Sequence, residues 1–258
     1  MRARWTNTST FNQAFALTLL GYIIATAVVS IGGYLRRPHD LSSVGGSPVL
    51  RPGIRGWYFE NLQPIEQLCV RWGIRPAYVS CAQLIGSVLV AACYAGGLLF
   101  TAGWLLLGTG TLDIIDGRVA RRTNSGSLRG AFLDSVVDRF ADSMAYFGLA
   151  IFYRNSWVLC VVLFAWLGAL MVSYVRARAE GLGASCKLGL LQRPERYVIL
   201  GFGTIFGSLF EHIGGTWLPA PRYWLVTVTI LVLAVLSSLT VLQRVLHVWQ
   251  ALGTSSHA

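Results

Sequence analysis

The chain has 258 residues, of which 54% are hydrophobic and only 12% are charged, and its mean hydropathy is +0.57. Soluble domains carry about 25% charged residues, so the composition excludes a soluble globular protein and predicts an all-α, polytopic membrane helix bundle. The net charge of +10 suits anionic headgroups or phosphorylated substrates. An excess of basic residues facing the cytoplasm is equally ordinary for membrane proteins. No nucleic-acid partner is expected.

The first apolar segment, Ala14–Leu35, follows a basic start and predicts a transmembrane helix within residues 1–35. A cleaved signal peptide is the alternative, although the segment is long for one and no clear cleavage site follows it. Residues 36–56 are rich in Pro, Gly and Ser, which is typical of a linker.

Residues 57–72 form an amphipathic pattern that predicts a helix in the membrane interface. One helical face would carry the largely apolar set Tyr58, Leu62, Ile65, Cys69 and Trp72. Glu60, Asn61, Gln63, Glu66 and Arg71 would lie largely elsewhere. A loop helix packed on protein is the alternative, and Pro64 suits a break or kink.

Six further apolar segments follow, at Ala77–Gly97, Leu98–Ile115, Gly130–Tyr153, Ser156–Val175, Tyr197–His212 and Tyr223–Leu246. The second and fifth of these six are short for a membrane span, so we expect them to continue into flanking polar helix. Residues 57–248 are therefore predicted to form one membrane domain with a six-helix core. Residues 249–258 are predicted to be a C-terminal tail.

The arginines indicate the orientation of this bundle. If the loop at residues 36–75 is cytoplasmic, the basic loops at 118–129 and 176–196 are cytoplasmic too. The opposite side then holds only Arg2, Arg4, Arg154 and Arg222. This asymmetry predicts a multi-pass protein of the cell (inner) membrane with its N-terminus outside and its C-terminus inside.

Four aspartates lie in the helices on either side of the 118–129 loop, at the predicted cytoplasmic end. Asp113 and Asp116 are spaced i, i+3, and Asp134 and Asp138 are spaced i, i+4, so each pair shares a helix face. An ionised carboxylate inside a membrane segment is costly and usually lines a polar cavity. Two consecutive antiparallel helices would bring both pairs together at the same depth.

Four facing carboxylates repel one another unless cations lie between them. Oxygen ligands select hard divalent ions, Mg²⁺ or Mn²⁺ before Zn²⁺, and two such ions can clamp a diphosphate. The alternative is that neighbouring arginines neutralise the carboxylates, with Arg118, Arg121 and Arg139 as candidates.

The motif Asp113-x2-Asp116-Gly117-x2-Ala120-Arg121, eight residues, Gly130-x3-Asp134-x3-Asp138 resembles the signature of the CDP-alcohol phosphatidyltransferases at every fixed position. The resemblance covers about residues 57 to 246. It implies an integral membrane phospholipid synthase that transfers a phosphatidyl group from CDP-diacylglycerol to an alcohol and releases CMP. It also implies two bound divalent cations, Mg²⁺ or Mn²⁺, and a homodimer, which is common among relatives.

The resemblance also implies roles for individual residues. Asp113, Asp116, Asp134 and Asp138 would be metal ligands, and Asp138 would also be the general base that takes the proton from the acceptor hydroxyl. CDP binding falls to Gly117 and Gly130, where backbone must approach the nucleotide closely, and to Arg121, which suits the CDP phosphates.

One segment departs from the pattern of many relatives. These begin the next span with Pro-Asn-x-x-Thr near the nucleotide, whereas this chain has Pro76-Ala77-Tyr78-Val79-Ser80. The contribution of that edge to CDP binding is therefore open.

A second polar segment, Ser173 to Tyr197, carries five basic residues against Glu180 and Glu195. Its strings SYVRARAEGLG and RPERY resemble those of the phosphatidylinositol phosphate synthase branch, where basic residues bind the phosphate of inositol phosphate. The resemblance implies that Arg176, Arg193 and Arg196 bind the phosphate of a polyol acceptor. A phosphatidylglycerophosphate synthase that uses glycerol 3-phosphate would need a basic phosphate-binding site of the same kind. A further alternative is that these basic residues only fix the orientation of the protein in the membrane.

A non-enzymatic cation transporter or scaffold is the alternative from another functional class. Transport would favour acidic or polar residues recurring through the depth of several helices. Here they cluster at one end of two helices.

Overall fold

The structure is a computed structural model that describes residues 52–186, 188–214 and 223–255. Within those ranges it is all-helical, with no strand. The seven helices are α1 (Pro52–Arg71), α2 (Pro76–Ala95), α3 (Leu99–Arg122), α4 (Leu128–Phe152), α5 (Val158–Gly181), α6 (Arg193–Gly214) and α7 (Trp224–Ser255). The predicted all-α membrane bundle is confirmed. The expected N-terminal helix at 1–35 and residues 36–51 of the expected linker lie outside the described residues.

The helix ends agree with most of the predicted segments. The two short segments do extend into polar helix, because α3 continues to Arg122 and α6 begins at Arg193. Helix α7 runs to Ser255, nine residues past the predicted end at Leu246 and into the predicted tail. Pro64 lies inside α1, so the helix is not broken there.

The chain divides after Gln63 into two units, and the second, from Pro64 onward, holds the last turns of α1 and the helices α2 to α7. In that second unit α2 packs on α3 and α4, α3 on α6, α6 on α7, α7 on α5, and α5 on α4. These contacts close a ring of six helices. Helix α2 thus lies between α3 and α4, the two helices that carry the aspartates.

Small residues let the helices approach one another closely. A Cβ added to Gly148 of α4 would lie 2.5 Å from the carbonyl oxygen of Ala91 in α2, and one added to Gly103 of α3 would lie 2.8 Å from that of Gly201 in α6. Such contacts are typical of membrane helices, where dispersion rather than the hydrophobic effect holds neighbours together. Around them the core contains fully buried Tyr94, whose hydroxyl is 3.1 Å from Thr204 Oγ1.

The outer surface of the bundle is apolar, as a lipid-facing surface requires. Leu163, Phe164 and Leu167 on α5 are exposed, as are Leu231 and Val235 on α7. Among the described residues three helical stretches, Pro76–Ala95, Val158–Gly181 and Trp224–Gly253, are long and apolar enough to cross a membrane by length and composition. The other ring helices, α3, α4 and α6, carry the charged turns that form the site.

Candidate active site

Three of the four aspartates converge at one end of the ring. Asp113 and Asp116 lie in the last turns of α3, and Asp134 lies in the second turn of α4. One carboxylate oxygen from each of the three lies within 4.8 Å of the others. The expected meeting of the two acidic helices is therefore present in the structure.

This cluster fits a divalent cation. Asp116 is only 4% exposed, and Asp134 Oδ1 is buried without a hydrogen-bond partner. Buried carboxylate oxygens that lack a donor and face like charges are unfavourable by themselves. They are also the hard oxygen ligands that Mg²⁺ and Mn²⁺ prefer.

Helix α2 supplies two donors to the aspartates. Ser80 Oγ donates to Asp116 Oδ2 at 2.8 Å, so the serine in the departing Pro76–Ser80 segment does reach the acidic site. Gln83, fully buried, directs its amide nitrogen to Asp113 Oδ1 at 3.5 Å and Asp138 Oδ1 at 3.4 Å. Sequence reasoning missed Gln83. Its signal was a polar residue three positions after Ser80, on the same face of an otherwise apolar helix.

Asp138 lies beside Arg193 of α6 rather than in the group of three. Arg193 Nη1 is 2.6 Å from Asp138 Oδ1 and 2.7 Å from Asp113 Oδ1, although neither contact has hydrogen-bond geometry. Arg193 therefore bridges the same two carboxylates, Asp113 and Asp138, that the amide of Gln83 contacts.

The three arginines that the sequence offered as alternative counter-ions differ in their placement. Arg118 pairs with Glu66, and Arg121 is exposed. Arg139 hydrogen-bonds Ser135 one turn earlier in α4 and also interacts electrostatically with Asp134. The direct ion pairs with Asp113 and Asp138 come from Arg193, which is 55 residues away from Asp138 along the chain.

A fifth aspartate, Asp142, joins the site to the basic segment. It is 5% exposed and lies one turn beyond Asp138 on α4. It accepts a hydrogen bond from Arg193 Nε at 3.0 Å and one from Arg196 Nη2 at 2.6 Å. Sequence reasoning missed it, although the spacing 134, 138, 142 continues the i, i+4 series.

The residues expected to bind CDP lie around the loop between α3 and α4. Gly117 and Arg121 are one turn apart, and a Cβ on Gly117 would lie 3.5 Å from Arg121 Nη1. Gly130 lies in the first turn of α4, where its N–H donates to the capping Ser127 Oγ at 3.0 Å. A Cβ there would come within 3.1 Å of the same oxygen, so the absence of a side chain keeps the cap close.

The three arginines expected to bind the acceptor are placed differently from one another. Arg196 is 3% exposed and joins Arg193 through Asp142. Arg176 is half-exposed at the end of α5 and pairs with Glu180 at 2.9 Å. Lys187, in the same basic segment, lies outside the described residues.

Arg244 of α7 is a buried arginine that sequence reasoning also missed. It donates to the carbonyl oxygens of Leu188 at 2.7 Å and Val172 at 2.6 Å. A lone arginine inside the apolar run of α7 was its signal. It ties the segment between α5 and α6 to α7.

A helical membrane bundle with a buried aspartate cluster that fits a divalent cation, and with arginines beside that cluster, suits an enzyme of phosphate-ester chemistry in the bilayer. Residues 74–254 match the family model for CDP-alcohol phosphatidyltransferase, and the chain belongs to that family. The resemblance identified from the aspartate motif is confirmed, and the protein is a transferase.

Known proteins similar to this chain cover most of it. It is 35% identical over 188 residues to an archaetidylinositol phosphate synthase of Methanothermobacter thermautotrophicus, which covers 73% of this chain and 90% of the relative. The crystal structure of Mycobacterium tuberculosis phosphatidylinositol phosphate synthase with CDP-DAG bound superposes with a TM-score of 0.61 at 28% identity, covering 72% of this chain and 92% of that one. The structure of the same enzyme in complex with manganese and citrate superposes with a TM-score of 0.61 at 29% identity. It covers 72% of this chain and 88% of that one.

Proposed function

We propose that this protein transfers the phosphatidyl group of CDP-diacylglycerol to a hydroxyl of a phosphorylated polyol, with inositol phosphate as the preferred acceptor, and releases CMP. The observation that carries the proposal is the convergence of Asp113, Asp116 and Asp134 within 4.8 Å beside Asp138 and Arg193. The names of the similar synthases, one of them solved with CDP-DAG, support the donor and the acceptor class.

Two divalent cations, Mg²⁺ or Mn²⁺, would be held by Asp113, Asp116, Asp134 and Asp138. Bound there, they would neutralise the diphosphate and make CMP a better leaving group. The manganese complex of the similar enzyme supports this assignment. Ser80 and Gln83 orient the carboxylates, because their donors lie 2.8 to 3.5 Å from carboxylate oxygens of Asp116, Asp113 and Asp138.

Asp138 would take the proton from the attacking hydroxyl. Oδ1 of its carboxylate contacts both the amide of Gln83 and the guanidinium of Arg193. A base held by two such contacts keeps one orientation toward the acceptor. Gly117, Arg121 and Gly130 would form the CDP-binding edge.

The acceptor phosphate would bind at Arg193, Arg196 and Arg176. Nη1 of Arg196 is buried without a hydrogen-bond partner, so it keeps a donor for an anion. Asp142 forms ion pairs with both Arg193 and Arg196 and so holds their guanidinium groups together. Charge-assisted contacts from arginine suit a phosphate better than a neutral alcohol.

We also propose that the aspartate end faces the cytoplasm from the cell (inner) membrane. Its support is the arginine asymmetry, since Arg154 lies at the other end of α4 while Arg118, Arg176 and Arg193 gather near the site. The domain bounds at 57–248 and the homodimer remain predictions.

The test is CMP release by the purified protein from CDP-diacylglycerol with a panel of acceptors. We expect inositol phosphate to be best, chelation to abolish release, and Mg²⁺ or Mn²⁺ to restore it. Arg196→Ala should raise the acceptor KM about tenfold, or roughly 1.4 kcal/mol, and leave the KM for CDP-diacylglycerol nearly unchanged. Arg193→Ala should change both KM values, because Arg193 also contacts Asp113 and Asp138.

Other results of this assay would change or refute parts of the proposal. A preference for glycerol 3-phosphate would replace the acceptor but keep the reaction. Efficient use of serine or of unphosphorylated inositol, unaffected by these substitutions, would refute the phosphate pocket. Absence of cation-dependent CMP release with every acceptor would refute the transferase reaction proposed here.

A further inference from the structure

The last turns of α1 contain an acidic residue that the structure buries. Glu66, expected on the polar face of an interfacial helix, is 1% exposed. Its Oε2 accepts a hydrogen bond from Arg118 Nε at 2.7 Å, and its Oε1 lies 2.6 Å from Arg122 Nε. A buried carboxylate is tolerated when it is paired in this way.

The two arginines identify the side of α3 that Glu66 holds. Arg118 and Arg122 are one turn apart, so they share a face. At about 100° per residue, Asp113 lies about 180° around the helix from Arg122, and Asp116 lies about 200° from Arg118. Glu66 therefore contacts α3 on the side opposite to Asp113 and Asp116, the aspartates of α3 that are proposed to bind metal.

Another side of the same turns of α1 is apolar and exposed. Ile65, Leu68 and Trp72 are exposed and follow one another at helical spacing. This side suits the membrane interface, while Glu66 points into the protein. The helix therefore has one side for lipid and one ion-paired contact to the end of the catalytic helix α3.

We propose that Glu66 is a positioning residue for the CDP-diacylglycerol site and that it acts by holding Arg118 and Arg122. Through these two arginines it sets the rotation of the last two turns of α3, which carry Gly117 and Arg121. This inference rests on the proposed function, which places Gly117 and Arg121 of those turns at the CDP-binding edge. It adds that the interfacial helix fixes the nucleotide edge at the membrane surface, where the lipid headgroup lies.

The test compares nucleotide affinity with acceptor affinity in the full-length protein with Mn²⁺ present. Glu66→Gln keeps the shape and one acceptor oxygen but removes the charge. We expect the Kd for CDP, measured by calorimetry, and the KM for CDP-diacylglycerol to rise about 5- to 10-fold. The acceptor KM should stay within about twofold. The control is Glu60→Gln, the same change at an exposed position of α1, which should leave all three values unchanged.

A second set of variants tests whether the effect passes through the arginines. The double variant Arg118→Gln, Arg122→Gln should reproduce the rise in the Kd for CDP, and adding Glu66→Gln should raise it no further, since the three side chains act as one unit. If Glu66→Gln does not fold, Arg122→Gln serves instead, because that side chain is 37% exposed, and a smaller rise in the same Kd is expected.

Three results would overturn the inference. The first is an unchanged Kd for CDP. The second is tighter CDP binding, which would mean that Glu66 only withholds the arginines from the nucleotide. The third is an equal rise in both KM values with a lowered Tm, which would mean a general structural role. Calorimetry with CDP needs no acceptor, so a wild-type protein that binds CDP without releasing CMP would refute the proposed reaction and leave this comparison intact.

Discussion

Asp142→Asn is the most informative single change at the site, because it removes one charge and almost no volume. The buried carboxylate accepts from Arg193 Nε at 3.0 Å and from Arg196 Nη2 at 2.6 Å. Asparagine can still accept one of these hydrogen bonds, but as a neutral group. Arg196, 3% exposed, is then left without a counter-charge at this contact.

The expected loss of stability follows from these two contacts. A hydrogen bond to a charged group contributes about 1.5–3 kcal/mol and a neutral one about 0.5–1.5 kcal/mol. Losing one bond and making the other neutral should therefore cost about 2.5–4.5 kcal/mol. For a chain of this size that corresponds to a Tm lower by about 5–18 °C. The acceptor KM should rise about tenfold, because both guanidinium groups lose their common anchor.

Thermal unfolding in detergent, followed by tryptophan fluorescence, measures the first effect, and CMP release at varied acceptor measures the second. Glu180→Gln is the matched control, since it removes the partner of Arg176 in a half-exposed pair. Such a surface pair contributes less than about 1 kcal/mol, so its Tm should hardly change. Equal Tm values for the two variants, or an acceptor KM unaffected by Asp142→Asn, would refute the reasoning.

Three further predictions concern the base, the packing and the topology. Asp138→Asn should lower turnover by about 10²- to 10⁴-fold and keep CDP binding by calorimetry, because the amide cannot accept the proton; near-normal turnover would remove its assignment as base. Gly148→Ala should lower the Tm, since the added Cβ meets the backbone of α2 at 2.5 Å and overpacking costs about 1–3 kcal/mol. Gly108→Ala, with open space around it, should not lower the Tm. In a cysteine-free background, Gly126→Cys should be shielded in intact cells from a membrane-impermeant thiol reagent, and labelling as fast as that of Asn155→Cys would reverse the topology.

The sequence alone contained the helices and the acidic motif, because both depend on spacing along one segment. Apolar runs of about 20 residues require helices in a bilayer, since every backbone polar group must be satisfied within the segment. The intervals 113 to 116 and 134 to 138 place each aspartate pair on one face whatever the helix packs against. The family and the basic segment near the site follow from such local patterns, and so does the prediction of which aspartates bind metal.

Only the tertiary structure decided which side chains meet the aspartates. Periodicity tells which face of a helix a residue occupies but not which neighbouring helix covers that face. Ser80 and Gln83 reach the site because α2 lies between α3 and α4. Arg193 contacts Asp138, which is 55 residues away along the chain, and Glu66 contacts Arg118, which is 52 residues away.

The same limit explains why single charged residues were harder to interpret than the motif. Glu66 had the spacing of a solvated polar face and is buried, and Arg244 lay in an apolar run and anchors the segment before α6. A charge in or near a membrane must find a partner, because leaving it unpaired in the bundle is costly. The sequence therefore predicts that such a charged residue has a partner. Which residue that partner is depends on the packing of helices that are distant in the chain.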